Sequence, residues 1–163
     1  NWITYKEIFP LIKDNKLWLG YTKVKEFKLP DGTYKKFGNK LWFTNVDTKK
    51  RHHKLETVYR WRKRKEKYPD LYPKYDNYAA IEVGKVLQIP LDYDGTMGVP
   101  ITFLDKYNPD QFEILGTTAN GLVSDDLKLP WPKKHNNPFI NGKPKYQRIL
   151  IRNKHPEDYQ NDL

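Results

Sequence analysis

Two short apolar runs decide how the N-terminal third reads: Leu17-Trp18-Leu19-Gly20-Tyr21-Thr22 and Leu41-Trp42-Phe43-Thr44-Asn45-Val46. Each is apolar at consecutive rather than alternate positions, the pattern of a strand covered on both sides. Between them, Pro30-Asp31-Gly32 carries turn chemistry. Lys23–Leu29 and Thr33–Phe37 are therefore expected to pair as a hairpin whose arms hold Lys23, Lys25, Lys28, Lys35 and Lys36. Upstream, Thr4-x-x-Glu7 has the form of a capping box opening a short helix, with Ile8, Leu11 and Ile12 on its apolar side. Pro10 is expected to distort that helix and Asp14-Asn15 to end it. The start of the chain thus reads helix, strand, basic hairpin, strand.

Further along, residues 54–68 read as a helix. Leu55, Val58, Tyr59 and Arg62 would share one side, and Arg60, Arg64 and Lys67 would form a basic stripe. The Pro- and Tyr-rich stretch Tyr68–Tyr78 reads as an extended linker. Beyond it, Gly and Pro punctuate the chain often, and short β-like runs lie between them: Ala79–Val83, Val99–Leu104, Phe112–Thr117 and Tyr146–Ile151. This part is expected to be loop-rich and mostly β, with a polar, frayed tail from Glu157. The organisation expected is a first part over residues 1–48 and a second over 49–163.

Composition narrows the function classes. A chain of 163 residues with 37% hydrophobic and 15% aromatic residues has enough apolar matter for a core, so wholesale disorder is excluded. The longest stretch without a charged residue, Ile114–Ser124, is far short of the roughly 20 apolar residues of a membrane helix. With no cysteine, a disulfide framework, an iron–sulfur cluster, a Cys-ligated zinc and a Cys nucleophile all drop out. The chain opens Asn1-Trp2-Ile3, with neither Met nor a signal-peptide pattern, and is expected to be a piece of a longer protein.

Charge is the strongest signal. The net charge is +10, and residues 49–67 carry ten basic residues against Glu56 and Glu66. These are Lys49, Lys50, Arg51, Lys54, Arg60, Arg62, Lys63, Arg64, Lys65 and Lys67, with His52, His53, Tyr59 and Trp61 interleaved. Such a patch draws polyanions, and this density with aromatics points to nucleic-acid phosphates rather than a merely solvated face.

Catalytic motifs are fragmentary. Asp70 with Glu82 and Lys85 approximates a metal-dependent nuclease pattern, but Gly84 stands where the lysine belongs. Gly116-Thr-Thr-Ala-Asn-Gly121 has the spacing of a phosphate loop, but Leu122 replaces the lysine, so a Gly-rich turn is the better reading. Asn136-Asn137-Pro138-Phe139 lacks the first proline of the Asn-Pro-Pro-Phe tetrapeptide of amino-methyltransferases. His52, His53, His135 and His155 have no zinc spacing, so no metal site is expected.

Longer blocks are more specific. Residues Ile3-Thr4-Tyr5-Lys6-Glu7-Ile8-Phe9-Pro10-Leu11-Ile12, Leu17-Trp18-Leu19-Gly20-Tyr21, Trp42-Phe43-Thr44-Asn45 and Lys49-Lys50-Arg51-His52 form one series. Pro73-Lys74-Tyr75-Asp76-Asn77-Tyr78 and the run from Asp92-Tyr93-Asp94-Gly95-Thr96-Met97-Gly98 through Gly116 continue it. Together they resemble adenine-specific DNA methyltransferases of the EcoRI modification-methylase type, over nearly the whole chain to about Arg152.

The resemblance implies an α/β fold. Residues 1–48 would be the C-terminal part of a Rossmann-like methyltransferase sheet, followed by a loop-rich, mostly β recognition region. It implies a bacterial, cytoplasmic parent enzyme that transfers a methyl group from S-adenosylmethionine to N6 of adenine in double-stranded DNA, in a restriction–modification setting. The cofactor loop and the catalytic tetrapeptide would lie outside these residues. No catalytic residue is therefore assigned, and no cofactor is expected to bind this piece alone. Its share would be DNA binding by Lys49, Lys50, Arg51, His52, His53, Lys54, Arg60, Arg62, Arg64 and Lys67. Asn108 and Gln111 head the candidates for reading bases, with Asn120, Asn136 and Asn137 behind them. Self-association through exposed sheet edges is a further expectation. The alternative is a stand-alone, non-catalytic nucleic-acid-binding module.

Overall fold

The computed structural model describes residues 5–20, 26–36, 42–132 and 136–157. The expected cap Thr4, the hairpin's outer residues Lys23, Lys25 and Phe37, the strand residues Tyr21, Thr22 and Leu41, His135 and the end of the tail lie outside them. The chain divides into two compact units, Asn1–Arg51 and His52–Leu163.

In the first unit, helix α1 (Tyr5–Lys13) buries Phe9 and Ile12, leaves Leu11 exposed and keeps Pro10 on the solvent side. The buried side is thus set by Phe9 and Ile12, three residues apart, rather than by Leu11. Asn15 ends the helix at φ 55°, while its N–H bonds to the Ile12 carbonyl (3.1 Å) and the Lys16 N–H to the Leu11 carbonyl (2.8 Å). That is a Schellman closure with asparagine in the left-handed position. Strands β1 (Trp18–Leu19) and β4 (Phe43–Thr44) pair antiparallel. Between them, β2 (Glu26–Lys28) and β3 (Tyr34–Lys36) form the expected hairpin. Gly32 takes φ 86° in its turn, and the Asp31 carboxylate accepts from the Thr33 N–H (2.9 Å) and hydroxyl (2.6 Å). The Thr33 hydroxyl, more than the backbone bond, lowers the Asp31 pKa.

The second unit is built on a four-stranded sheet ordered β5 (Ile81–Glu82), β6 (Met97–Val99), β10 (Ile149–Asn153), β7 (Phe112–Thr117). β5 and β6 run parallel, and the other pairs antiparallel. A small hairpin, β8 (Phe139–Ile140) with β9 (Lys143–Pro144), precedes β10. Ile149, Leu150 and Ile151 are all buried, so the sheet is covered on both faces. On the Leu150 side the cover is Tyr75, Tyr78, Ala80, Val123 and Ile140. The molecule is thus a mixed α/β structure with few helices.

Four expectations change. Leu41–Val46 is not a strand covered on both sides: among its described residues only Phe43–Thr44 is strand, half-buried, and Trp42 and Val46 are exposed. Tyr68–Tyr78 is no linker, because Tyr72, Tyr75 and Tyr78 are core residues. Ile101–Leu104 is not strand: Pro100 opens a 3-10 turn over Ile101–Asp105 that buries Phe103 and Leu104 and exposes Ile101, a spacing of a tight helix rather than of a pleat. The helix expected over 54–68 shrinks to a 3-10 turn, Trp61–Lys63, and one α turn, α2 (Arg64–Lys67); residues 53–60 are irregular.

Candidate nucleic-acid interface

The basic segment of the second unit, His52 to Lys67, is laid down as a strap and fixed at defined points. Leu55 is buried, and its backbone N–H and C=O are both taken by the Gln111 side chain, at 2.8 and 3.0 Å. The Thr57 hydroxyl donates to the Leu87 carbonyl at 2.8 Å. Asp92 accepts the N–H groups of Trp61 (2.5 Å) and Arg62 (3.2 Å), satisfying the exposed start of the helical turn. The Tyr68 hydroxyl both accepts from and donates to the Arg60 backbone, at 2.8 and 2.9 Å.

Beneath the turn lies an aromatic cluster. Trp61 packs on Tyr93 (centroids 4.4 Å apart) and Tyr72 (5.8 Å), and Tyr68 packs on Tyr59 (5.2 Å) and Tyr72 (6.1 Å). Burial raises the pKa values of Tyr72 and Tyr93, and for Tyr72 the neighbouring Tyr68 and Tyr59 add to it. These phenols stay neutral at physiological pH.

The structure sorts the expected DNA-contacting residues. Arg51, in the first unit, is buried: its guanidinium lies 3.3 Å from the Trp18 ring centroid, donates to Asp47 at 3.1 Å, and bonds Asn15. Arg60 donates to the Thr57 and Tyr59 carbonyls and pairs with Glu157 at 2.9 Å. Arg64 stacks 3.7 Å above the Trp61 ring and donates to the Trp61 carbonyl at 2.9 Å. These three arginines hold the fold. His52 pairs with Asp110 at 2.7 Å, and Lys50 and Arg62 are half-buried. Lys49, His53, Lys54 and Lys67 are exposed, as are Lys63 and Lys65.

The two foremost base-reading candidates are buried and occupied. Asn108 caps the Asp110 N–H at 2.9 Å, and Gln111 serves Leu55. Asn137 is half-buried against Gln147, whereas Asn120 and Asn136 are exposed. Glu82 is no magnesium ligand here: Arg148 and Tyr75 occupy its carboxylate. No group of three metal-ligating side chains occurs among the described residues. The Gly116–Gly121 segment is the tight turn expected, with Gly121 at φ 66° and the Thr117 N–H on the Leu122 carbonyl at 3.1 Å. Phe139, the aromatic of the tetrapeptide-like stretch, is buried against Trp131.

Both units and the whole run of quoted blocks fall within one family. The family described as adenine-specific methyltransferase EcoRI matches residues 1–154. This chain belongs to that family. It is 43% identical to the type II methyltransferase M.EcoRI of Escherichia coli, over 94% of this chain and 48% of that protein. It is 36% identical to M.MgeORF184P of Mycoplasma genitalium and 35% to M.MpnI of Mycoplasma pneumoniae, each over 92% of this chain and 53% of the relative. The chain spans about half the length of the curated relatives it matches. No solved structure matches it. In this EcoRI-type chain no helix among the described residues is long and apolar enough to cross a membrane. Lys54, Lys63, Lys65 and Lys67 are the exposed lysines of the strap.

Proposed function

We propose that this chain is the DNA-binding, target-recognition part of a site-specific N6-adenine DNA methyltransferase, and that residues 1–48 complete the parent's Rossmann-like catalytic sheet. The family membership supports the reaction class. The observation that carries the DNA role is the strap: a segment pinned through Leu55, Thr57, Trp61 and Arg62 that leaves Lys54, Lys63, Lys65 and Lys67 in solvent. A backbone already held in place spares these lysines its ordering cost, and phosphate contacts fix register before bases are read.

S-adenosylmethionine would supply the methyl group in the parent protein. One hollow of about 330 Å³ is lined by His52, Lys54, Leu91, Asp110, Gln111 and His155 among others, with no phenylalanine, tyrosine or tryptophan in its lining. A second is lined by Arg64, Lys65, Asp70 and Tyr72 among others, two cations against one carboxylate. Because the tetrapeptide-like stretch Asn136–Phe139 lacks its first proline and buries Phe139 against Trp131, we assign methyl transfer to the rest of the parent, and this chain alone is inactive in our proposal.

The test is duplex binding by fluorescence anisotropy over a salt series, beside a variant with Lys63, Lys65 and Lys67 changed to Gln. Arg60 and Arg64 are left intact, because removing them would disturb folding. Binding that weakens steeply with salt, and a log–log slope shallower by about 0.9 per phosphate contact removed, is the expected result. An unchanged slope removes the strap from the DNA. Methylation by the isolated chain would overturn its inactivity.

A further inference from the structure

The β8–β9 hairpin and the segment after it form a second surface, separate from the strap in sequence and in its supports. Asn141 and Gly142 turn the hairpin at φ 50° and 74°, and both their N–H groups bond the Asp76 carboxylate, at 3.1 and 2.8 Å. The Lys145 N–H bonds the Pro138 carbonyl at 2.7 Å. Gln147 is held between Asn137 and the Thr118 hydroxyl, and the Arg148 N–H bonds that same hydroxyl at 2.8 Å. The next side chain, Arg148, is locked onto Glu82. Between these fixed neighbours Tyr146 stands 85% exposed, with Lys143 and Lys145 exposed beside it in sequence.

A lone exposed aromatic needs no explanation. Here its flanks are tied on both sides, so the backbone that carries it is held by bonds to four other segments. The chain carries Lys143 and Lys145 just ahead of it, and the exposed carboxamides of Asn120, Asn136 and Asn141 lie on turns joined to the same support; Asn136 reaches within 3.5 Å of where a Cβ on Gly121 would sit. An exposed ring on a held backbone, neighbouring cations and exposed carboxamides offer what an unpaired nucleobase takes: a face to stack on, contacts for its adjoining phosphates and partners for its edge.

We propose that Tyr146, with Lys143 and Lys145, is a stacking platform for an unpaired base of the DNA. This rests on the DNA-binding reading above. Paired bases within a duplex already stack on their neighbours and cannot offer a face to it, so the platform discriminates for unstacked nucleotides.

The experiment uses two probes containing 2-aminopurine: a single-stranded oligonucleotide and the fully paired duplex of the same sequence. Affinity and 2-aminopurine emission are measured for the wild type, Tyr146→Ala, Tyr146→Phe and Lys143→Gln/Lys145→Gln. Tyr146→Ala is expected to weaken single-strand binding about 5- to 150-fold, the size of one stacked base, and to leave duplex binding unchanged. Tyr146→Phe keeps affinity and emission quenching. The double lysine variant flattens the single-strand salt slope by about 1.4. Equal loss on both probes, or no loss in Tyr146→Ala, overturns the platform. If Tyr146→Ala is silent while the strap lysine variant loses duplex binding, the platform falls and the DNA reading stands. If the wild type binds neither probe at low salt, both fall. Circular dichroism of each variant excludes unfolding as the cause.

Discussion

Arg148 grips Glu82 with two nitrogens: Nη2 lies 2.6 Å from Oε1, and Nε lies 3.1 and 3.2 Å from the two carboxylate oxygens. Each side chain is only 11% exposed, and the Tyr75 hydroxyl donates to the same carboxylate. The network joins β5, the residue that leads into β10 and the segment before β5. Burial alone would lower the Arg148 pKa, but the Glu82 hydrogen bonds and charge outweigh it and raise it. Removing one partner strands a buried charge. Arg148→Met should therefore destabilise by about 3–5 kcal/mol, read as a lower urea midpoint. The double variant Glu82→Leu/Arg148→Met should recover most of that loss, because no charge is left unpaired. A double variant as unstable as the single one would refute the account.

Gln111 is a clamp. Its carboxamide satisfies both backbone groups of Leu55 where the strap begins. Gln111→Ala leaves a buried N–H and C=O without partners, expected to lower stability by about 1–3 kcal/mol. Because the loss is local, trypsin should cut after Lys54 and Arg60 sooner than elsewhere in the chain. Gln111→Glu retains the acceptor for the Leu55 N–H but loses the donor, and should fall between. Uniform proteolysis of Gln111→Ala would show that the strap is held by other contacts.

How much of this was legible follows from the range of each interaction. The α1 helix with its Asn15 stop, the β2–β3 hairpin and β7 rest on local chemistry: a φ > 0 residue, a Pro-Asp-Gly turn, an alternating apolar run. All three could be read from neighbouring residues. The strap could not. Arg60 and Arg64 look like free cations until Glu157 and the Trp61 ring are seen beside them, 97 residues away in the first case. Asn108 and Gln111 sit in an Asn-Pro-Asp-Gln stretch that reads as an exposed turn, and only the fold reveals that Leu55 occupies the amide. Tyr68–Tyr78 misled for a related reason: its prolines suggest an extended linker, but the chain turns at Pro69–Asp70, takes φ 66° at Tyr72, and buries Tyr72, Tyr75 and Tyr78. Tyr146 gave no signal, since exposure is not written in a residue's type.

Gly98 sits under Tyr75. A Cβ built on Gly98 would lie 2.1 Å from the Tyr75 hydroxyl oxygen and 2.8 Å from two ring carbons. The absent side chain thus makes room for the tyrosine that bonds Glu82, not for a ligand. Gly98→Ala is expected to cost about 1–3 kcal/mol through overpacking. The smaller Tyr75→Leu side chain in the same molecule should relieve part of that loss, so the two substitutions should be non-additive by thermal or urea denaturation. Strict additivity would place the strain elsewhere.

Buried phenols set an alkaline limit on stability. Burial raises the pKa values of Tyr72, Tyr75, Tyr78 and Tyr93, and for Tyr75 the charge of Glu82 adds to it. In the unfolded chain each phenol ionises near pH 10. Below that pH both states are protonated, and the contribution of these groups is fully present. As pH rises past about 10 the unfolded state loses protons that the folded state keeps, so unfolding is increasingly favoured. The urea midpoint should be flat in this respect from pH 7 to 9 and fall steadily above 10. Absorbance at 295 nm should show Tyr72, Tyr75, Tyr78 and Tyr93 ionising only as the protein unfolds. Tyr75→Phe removes one member of the buried set and should make the fall above pH 10 shallower. An alkaline slope identical in the variant and the wild type would mean that Tyr75 ionises as readily in the fold as in the open chain.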